Sequence, residues 1–525
     1  MTSILYKNAR IIDGSGAPWF NSDLAVEDGK IVSISKNISA TADRVIELDG
    51  EVISPGFIDM HSHSDLSLLA NGRAESKIRQ GVTTEITGNC GSSPAPIFEN
   101  GRQEMIKDLK ERYELDLTWS SFAEYLKELD DKPVSVNVLP LVGHTALRRA
   151  VMGTEDRKPT SEEMQEMQDL LKKALRAGAA GFSSGLIYPP SSYADTEELI
   201  GLARTAAKFD AFYATHMRQE GAKLPEGVRE AIEVGEKSGI PVQISHHKVA
   251  NRESWGLVSG SLNMLEKARK RGVDITFDVY PYQATATGLS ALLPDRVHEG
   301  GREKLKQRLN NEETRRKIES ELAEKGRRRG WNNILISSTN IQEFKKLEGK
   351  SIEQAAAILK MKPAEAVINI LAREKARVGM IGFAMCEEDV KEVLAHRLGM
   401  VGSDGSASAD YGVLRHGKPH PRSFGTFPRV LGKYVREENI MTLERALHKM
   451  TGLPAWRLGF QDRGLIREGF AADLVVFRPE EIGDRANFED PYQYPSGIRQ
   501  VLVNGEIVIE NGEHTDRRPG KRLSR

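Results

Sequence analysis

The chain has 525 residues, in which 74 lysines and arginines nearly cancel 75 aspartates and glutamates. That length exceeds one average domain, and the balanced charge argues against nucleic-acid or anionic-membrane partners. Two cysteines, Cys90 and Cys386, cannot build a disulfide framework, and no run approaches the roughly 20 apolar residues of a membrane span, so the expectation is a cytoplasmic protein in a reducing compartment.

In chain order, residues 1–55 carry short apolar runs such as Ile4-Leu5-Tyr6 and Lys30-Ile31-Val32-Ser33-Ile34, broken by Asp13-Gly14 and Glu27-Asp28-Gly29. Residues 461–525 repeat that texture, in Leu474-Val475-Val476-Phe477 and in Ile498 to Gly505. The two ends predict one small β-sandwich assembled from both termini. Between them, over 56–460, short apolar strands alternate with amphipathic helices such as Ser161 to Ala177, Asp195 to Lys208 and Leu224 to Lys237. Eight strand candidates end near His63, Cys90, His144, Leu186, His216, Lys248, Tyr282 and Asp404. Eight βα units predict an α/β fold of the (β/α)8 TIM-barrel type, with catalytic groups at the carboxyl ends of the strands. A doubly wound sheet would want a phosphate-type glycine loop after its first strand, and none follows. A long insertion after strand seven, about 284–350, reads as a lid over the site. Within it Arg327-Arg328-Arg329 reads as a solvated helix end.

The polar residues at the strand ends are His61, His63, Cys90, His216, His246 and Asp404. His61 and His63 lie two residues apart after an apolar run, so alternation along an extended segment points both to one side. Imidazole, thiolate and carboxylate are all good zinc donors. Singly, each histidine could equally be a core residue bonded to backbone, and Cys90 an inert buried thiol; six together at strand ends argue for a site. Alternation allows His246 and Lys248 into the pocket together and turns His247 toward the surrounding helices. His144, also at a strand end, is a candidate to hydrogen-bond the substrate or a ligand.

These motifs resemble the amidohydrolase superfamily and, within it, the D-aminoacylase (N-acyl-D-amino-acid deacylase) family. The resemblance runs through Pro55-Gly56-Phe57-Ile58-Asp59-Met60-His61-Ser62-His63, Thr87-Gly88-Asn89-Cys90-Gly91, Gly185-Leu186-Ile187-Tyr188-Pro189-Pro190, Ser245-His246-His247-Lys248, Gly402-Ser403-Asp404-Gly405 and Ala471 to Phe477. It implies zinc-dependent hydrolysis of the amide of an N-acyl-D-amino acid, a small-molecule substrate. Many binuclear relatives bridge their metals with a carboxylated lysine on strand four; Ala180 to Leu186 has no lysine. The resemblance instead gives the bridging place to Cys90, with a tight zinc on Cys90, His216 and His246. A weaker second position would fall to His61, His63 and Asp404, and one metal could suffice. Zinc makes a water acidic near neutral pH and polarises an amide carbonyl, and Asp404 is the candidate general base. For the substrate's α-carboxylate the resemblance implies Tyr188, Lys248, Tyr280, Ser290 and Arg377. Where relatives read Leu-Pro-Pro-Trp, this chain reads Leu293-Pro294-Asp295-Arg296, an exchange expected to favour acidic side chains such as D-glutamate or D-aspartate.

Three rival readings are weaker. Gly181-Phe182-Ser183-Ser184-Gly185 fits a serine-hydrolase pattern, but Pro189-Pro190 soon after cannot continue the required strand-to-helix elbow. A cyclic amidase of the hydantoinase or dihydroorotase kind would want the strand-four lysine. A non-catalytic scaffold would be expected to lose ligand residues, and all six are present.

Overall fold

The computed structural model describes residues 3–525. Ile4–Ile11 pairs antiparallel with Phe20–Glu27 and parallel with Arg44–Glu47 and Val52–Pro55. Val52–Pro55 in turn runs antiparallel to Leu474–Phe477, which joins both ends of the chain in one nine-stranded sheet. The terminal unit is thus a single continuous hydrogen-bonded sheet. It buries Tyr6, Ile11, Leu24 and Val26 against Leu474, Val476 and Leu502.

Eight parallel strands carry the interior: β1 (Phe57–Asp59), β2 (Val82–Thr87), β3 (Asn137–Pro140), β4 (Gly181–Gly185), β5 (Phe212–His216), β6 (Val242–Ile244), β7 (Ile275–Val279) and β8 (Gly399–Val401). Every residue in them is buried, as expected for strands covered on both faces. One ladder runs β1–β2–β3 and a second β4–β5–β6–β7–β8. They meet on both sides. Ala180 N donates to Pro140 O, and Val142–Gly143 pairs with β4. Beyond β8, Asp404 N donates to His61 O and His63 N to Gly405 O. The ring of strands therefore closes. Its interior is filled by Ile58, Met60, Ile86, Leu139, Phe212, Ala214 and Met400, with Leu458 and Leu523 packed against them.

The outer helices begin and end where side-chain chemistry dictates. Ser161–Ala177 starts at Thr160, whose hydroxyl accepts from Glu163 N while Glu163 caps the Thr160 amide, and stops at Gly178 with φ of 116°. Thr196–Ala207 is capped by the Asp195 side chain, which accepts from Glu198 N, and Leu224–Ser238 carries proline in its first turn.

The insertion after β7 differs from the expected 284–350 span. It runs on to Phe383, because Gly379–Phe383 is the central strand of an antiparallel sheet between Ala284–Gly288 and Ile334–Ser338. Helices including Glu312–Arg329 and Pro363–Arg373 cover that sheet, and Leu305, Ile318, Leu322, Phe344, Val367 and Leu371 form a separate apolar cluster. This is a small packed subdomain with its own core.

Candidate active site

The six strand-end residues converge. Cys90 Sγ lies 3.3 Å from His61 Nε2, 3.6 Å from His216 Nδ1 and 3.5 Å from His246 Nε2. His63 Nε2 is 3.0 Å from Asp404 Oδ1, and His61 Nε2 is 3.5 Å from the same oxygen. The donors fall into two groups, His61–His63–Cys90–Asp404 and Cys90–His216–His246, each with ligand atoms within 4.8 Å of one another. Cys90 belongs to both.

Simple strand alternation does not produce this arrangement. Strand β1 stops at Asp59, and the two histidines are held beyond it by Ser62 N to Ile86 O and by the backbone bonds to Asp404 and Gly405. Cys90, His246 and Asp404 have φ of 51°, 37° and 51°, a left-handed backbone that non-glycine residues rarely adopt. Each such residue costs on the order of 1–3 kcal/mol and persists where the surroundings over-determine it. Beneath them Lys77 Nζ lies 2.7 Å from Asp59 Oδ2, 2.7 Å from Ser403 Oγ and 3.3 Å from Glu85 Oε2, tying β1 and β2 to the Asp404 turn.

The imidazoles are oriented from behind by carboxylates. His61 Nδ1 is 3.1 Å from Asp278 Oδ1, which also accepts from His246 N at 2.7 Å. His246 Nδ1 is 3.1 Å from Glu220 Oε1, and His216 Nε2 is 3.5 Å from Glu220 Oε2, too poorly aligned for a hydrogen bond. A carboxylate behind an imidazole fixes its tautomer and leaves the facing nitrogen free as a donor, the arrangement found behind metal-binding histidines.

Electrostatics agree with that picture. Burial opposes ionisation of Cys90, but the charges of His61 and His246 and hydrogen bonds from His216 and His246 hold its thiol well below the usual range. Burial likewise opposes protonation of His63 and His216. Bonds to Asp404 and Cys90 nevertheless raise His63 to about 9, and the Glu220 charge with Cys90 raises His216 to about 9. So concentrated a set of exchangeable protons around one sulfur is what a divalent cation replaces, and thiolate with imidazole suits zinc.

The site opens into a cavity of ≈ 460 Å³ lined by His63, Cys90, His216, His246 and Asp404 and by the expected Tyr188, Lys248 and Tyr280. The Tyr188 hydroxyl is 2.9 Å from Thr287 Oγ1; the Tyr280 hydroxyl is buried without a partner. Lys248 Nζ is 2.6 Å from Glu220 Oε1.

Four other expected residues do not line this cavity. Arg377 is claimed by Asp108 and Glu111, both from the charged helix Arg102–Tyr113. Arg296, its side chain 56 % exposed, pairs with Glu321. Ser290 sits in the short helix Leu289–Leu292, its carbonyl facing His298. His144 opens a helix and is sealed between Ser191 Oγ at 2.6 Å and Glu198 Oε1 at 2.8 Å, with both ring nitrogens engaged. As expected, His247 turns away, 2.9 Å from Ser261 Oγ, and burial pushes it down to about 3.

Sequence reasoning missed Glu220, Asp278 and Arg422. Arg422 Nη1 stands 2.8 Å from Asp404 Oδ2 and its guanidinium lies 4.8 Å from the centre of the Tyr280 ring. Glu220, four residues after His216, had a usable spacing signal; Asp278, two before Tyr280, had a weaker one, and Arg422 none. The Arg327-Arg328-Arg329 run also needs correction: Arg328 pairs with Glu324 beside an adjoining cavity, and Arg329 lines the site's own cavity. Among the described residues no helix is long and apolar enough to cross a membrane.

Comparisons with known proteins give the chain a family. A family model described as "Amidohydrolase family" matches residues 44–509. D-aminoacylase of Alcaligenes xylosoxydans xylosoxydans is 36% identical over 522 residues, covering 99% of this chain and 97% of that protein. N-acyl-D-glutamate deacylase of the same organism is 35% identical over 516 residues, covering 98% and 95%. Among solved structures, N-acyl-D-glutamate deacylase from Bordetella bronchiseptica, complexed with zinc and a phosphonate inhibitor, superposes with a TM-score of 0.85 at 35% identity over 100% of both chains. L-hydantoinase from Arthrobacter aurescens, at 16% identity and a TM-score of 0.58, shares the fold. This chain belongs to the amidohydrolase family and, within it, to the group that includes the D-aminoacylases.

Proposed function

We infer that this protein hydrolyses the amide bond of N-acyl-D-amino acids, releasing a carboxylate and the free D-amino acid. The observation that carries the reading is Cys90, common to two donor groups on the floor of a cavity, in a chain that aligns over nearly its full length with D-amino-acid deacylases. The donor chemistry fits zinc. Cys90, His216 and His246 would hold the tighter ion; His61, His63 and Asp404, with Cys90 between, would hold a weaker second one.

When bound, zinc supplies Lewis acidity, polarising an amide carbonyl and making water acidic near neutral pH. The remaining work falls to side chains. Burial opposes ionisation of Asp404, but Arg422, His246 and His61 hold its carboxyl well below the usual range, so it is ready to accept the attacking water's proton. It then delivers that proton to the departing amine nitrogen. Lys248, Arg422 and the free Tyr280 hydroxyl line the cavity and supply charge-assisted partners for the substrate's α-carboxylate. A turnover screen of paired N-acyl-D- and N-acyl-L-amino acids with added zinc tests the reading. Turnover of D substrates is expected, and turnover of L substrates alone contradicts it.

A further inference from the structure

Two residues before Arg422, in Pro419-His420-Pro421-Arg422, stands a buried histidine that plays no part in the proposed hydrolysis. The prolines stiffen the backbone on either side of it. Its ring sits among those of Tyr280, Tyr282 and Phe488, whose centres lie 6.2, 5.1 and 5.0 Å from its own. Both ring nitrogens engage backbone: Nδ1 accepts from Arg422 N at 3.0 Å, and Nε2 lies 3.0 Å from Ala284 O. An amide can only donate and a carbonyl can only accept, so the ring is neutral with its proton on Nε2. Burial and the Arg422 charge, which hold its pKa well below the usual range, keep it so.

Ala284 opens the strand Ala284–Gly288, which forms one edge of the insertion's sheet. On its inner side it pairs with Gly379–Phe383, and just before it Gln283 O accepts from Met385 N. The carbonyls of Ala284 and Ala286 face the opposite side, as alternation along a strand requires. Among the described residues no strand pairs with that edge. Side chains cover it instead: His420 takes Ala284 O, and Arg422 Nη2 donates to Ala286 O at 3.4 Å. A little earlier in the same chain, Arg429 Nε donates to Pro281 O at 2.8 Å from the far end of the helix Arg422–Arg429.

This edge strand is also a wall of the active-site cavity. Thr285, Ala286 and Thr287 line it, and Thr287 Oγ1 is the partner of the Tyr188 hydroxyl. The other end of the Arg422 guanidinium, Nη1, stands 2.8 Å from Asp404 Oδ2. His420 does not line the cavity, yet it fixes two things that meet there, the insertion's wall and the arginine beside the base. A phenylalanine would fill the aromatic box and leave Ala284 O and Arg422 N without partners, so packing alone does not call for histidine.

We propose that His420 is a positioning residue for the hydrolysis: by holding Ala284 O with one ring nitrogen and the Arg422 amide with the other, it sets the insertion's edge strand and the Arg422–Asp404 pair in one register. Asp404 is then aimed at the attacking water only while the insertion is seated. The proposal rests on the deacylase reading above, in which Asp404 is the base.

The test compares His420→Phe, His420→Gln and His420→Asn in the full-length, zinc-loaded chain. Phenylalanine keeps a ring and loses both bonds; glutamine keeps a donor that reaches toward Ala284 O, and asparagine an acceptor near Arg422 N. The substrate is N-acetyl-D-glutamate or N-acetyl-D-leucine, whichever the unmodified protein turns over faster. His420→Phe is expected to lower kcat by about 10- to 100-fold, the scale of a small misplacement of a catalytic group, with KM changed less than about threefold and zinc content unchanged. Glutamine or asparagine is expected to recover part of the loss. In an Asp404→Asn background the same His420→Phe change is expected to cost less than about threefold, because the group it positions is already gone. An unchanged kcat, an equal loss in both backgrounds, a loss carried by KM alone, or no recovery in either amide variant would each overturn the assignment.

Hydrogen–deuterium exchange without substrate separates this inference from the reading beneath it. His420→Phe is expected to speed exchange in Ala284–Gly288 and in the Gly402–Ser406 turn together, relative to Ile334–Ser338 on the far edge of the same sheet. That paired change upholds the inference even where no N-acyl-D-amino acid is turned over. A change confined to one of the two segments overturns the coupling. Unchanged exchange in both, alongside undiminished turnover of a D substrate by His420→Phe, overturns the inference and leaves the reading intact.

Discussion

The guanidinium of Arg422 lies 2.8 Å from Oδ2 of Asp404, while His63 Nε2 lies 3.0 Å from Oδ1 of the same carboxylate. One carboxylate is thus held from both sides, by a cation that faces the cavity and by an imidazole of the donor cluster. The arginine contact is close but not aligned as a hydrogen bond, and Arg422 is further fixed by its Nη2, which donates to Ala286 O at 3.4 Å. Asp404→Asn keeps the shape and removes the base. It is expected to lower kcat by about 10²- to 10⁴-fold, the range for loss of a general acid–base group. Metal analysis of the same variant is expected to show zinc retained at Cys90, His216 and His246; normal turnover by Asp404→Asn would remove Asp404 from the chemistry.

Glu220 holds Lys248 at 2.6 Å and stands behind both His216 and His246. Glu220→Gln keeps the size and removes the negative charge 3.1 Å from His246 Nδ1, a nitrogen that also lies 2.8 Å from Lys248 Nζ. Zinc affinity, measured by competition with a chelator, is expected to fall by about 10- to 100-fold, as for other carboxylates that orient metal-binding histidines. An unchanged affinity would mean that the histidines orient themselves.

Lys77 is fully buried between Asp59 and Glu85, and burial working against its charge is overcome by those two carboxylates. Lys77→Met leaves both acids buried without their cation. A loss of about 3–5 kcal/mol in chemical denaturation is expected, the usual cost of breaking a buried ion pair from one side. A loss below about 1 kcal/mol would show that the serines around them, Ser62, Ser64 and Ser403, suffice.

A pH effect is expected far from the site. Lys449 is buried, and burial with the Arg445 charge lowers it from 10.5 to about 7. Its folded pKa is below its unfolded pKa, so between those values the unfolded chain binds the extra proton and stability rises with pH across that window. Lys449→Met removes this contribution. Denaturation midpoints of the variant are expected to gain most on the wild type near pH 6 and least near pH 10; a pH-independent difference would show that Lys449 titrates normally.

Much of this organisation is legible in the residues themselves. Alternating apolar strands and amphipathic helices announce the barrel, and each histidine, cysteine or aspartate at a strand end announces itself because few other reasons place such groups there. The supporting acids are harder. Glu220 and Asp278 look like ordinary surface residues until β5, β6 and β7 bring them behind three imidazoles. Arg422 lies at the start of a helix that packs on β1 through Phe427 and Phe57, with no periodic signal pointing to Asp404. Arg377 and Arg329 stand opposite to what the sequence suggests for one reason. A charged residue on a helix carries no record in sequence of which side faces a cavity, and here Asp108 captures the first while nothing captures the second. The insertion ran past its expected end because its last strand, Gly379–Phe383, pairs with segments far before it in the chain, and such long-range pairing leaves no local trace.

The most direct test of the account is to strip the protein with a chelator and titrate zinc back while following hydrolysis of an N-acyl-D-amino acid, beside its L enantiomer and a Cys90→Ala control. The account predicts no turnover in the stripped protein, recovery complete at about one zinc per chain at the Cys90–His216–His246 position, turnover of the D form only, and no recovery in Cys90→Ala. Turnover that persists without zinc, or full recovery in Cys90→Ala, would contradict it.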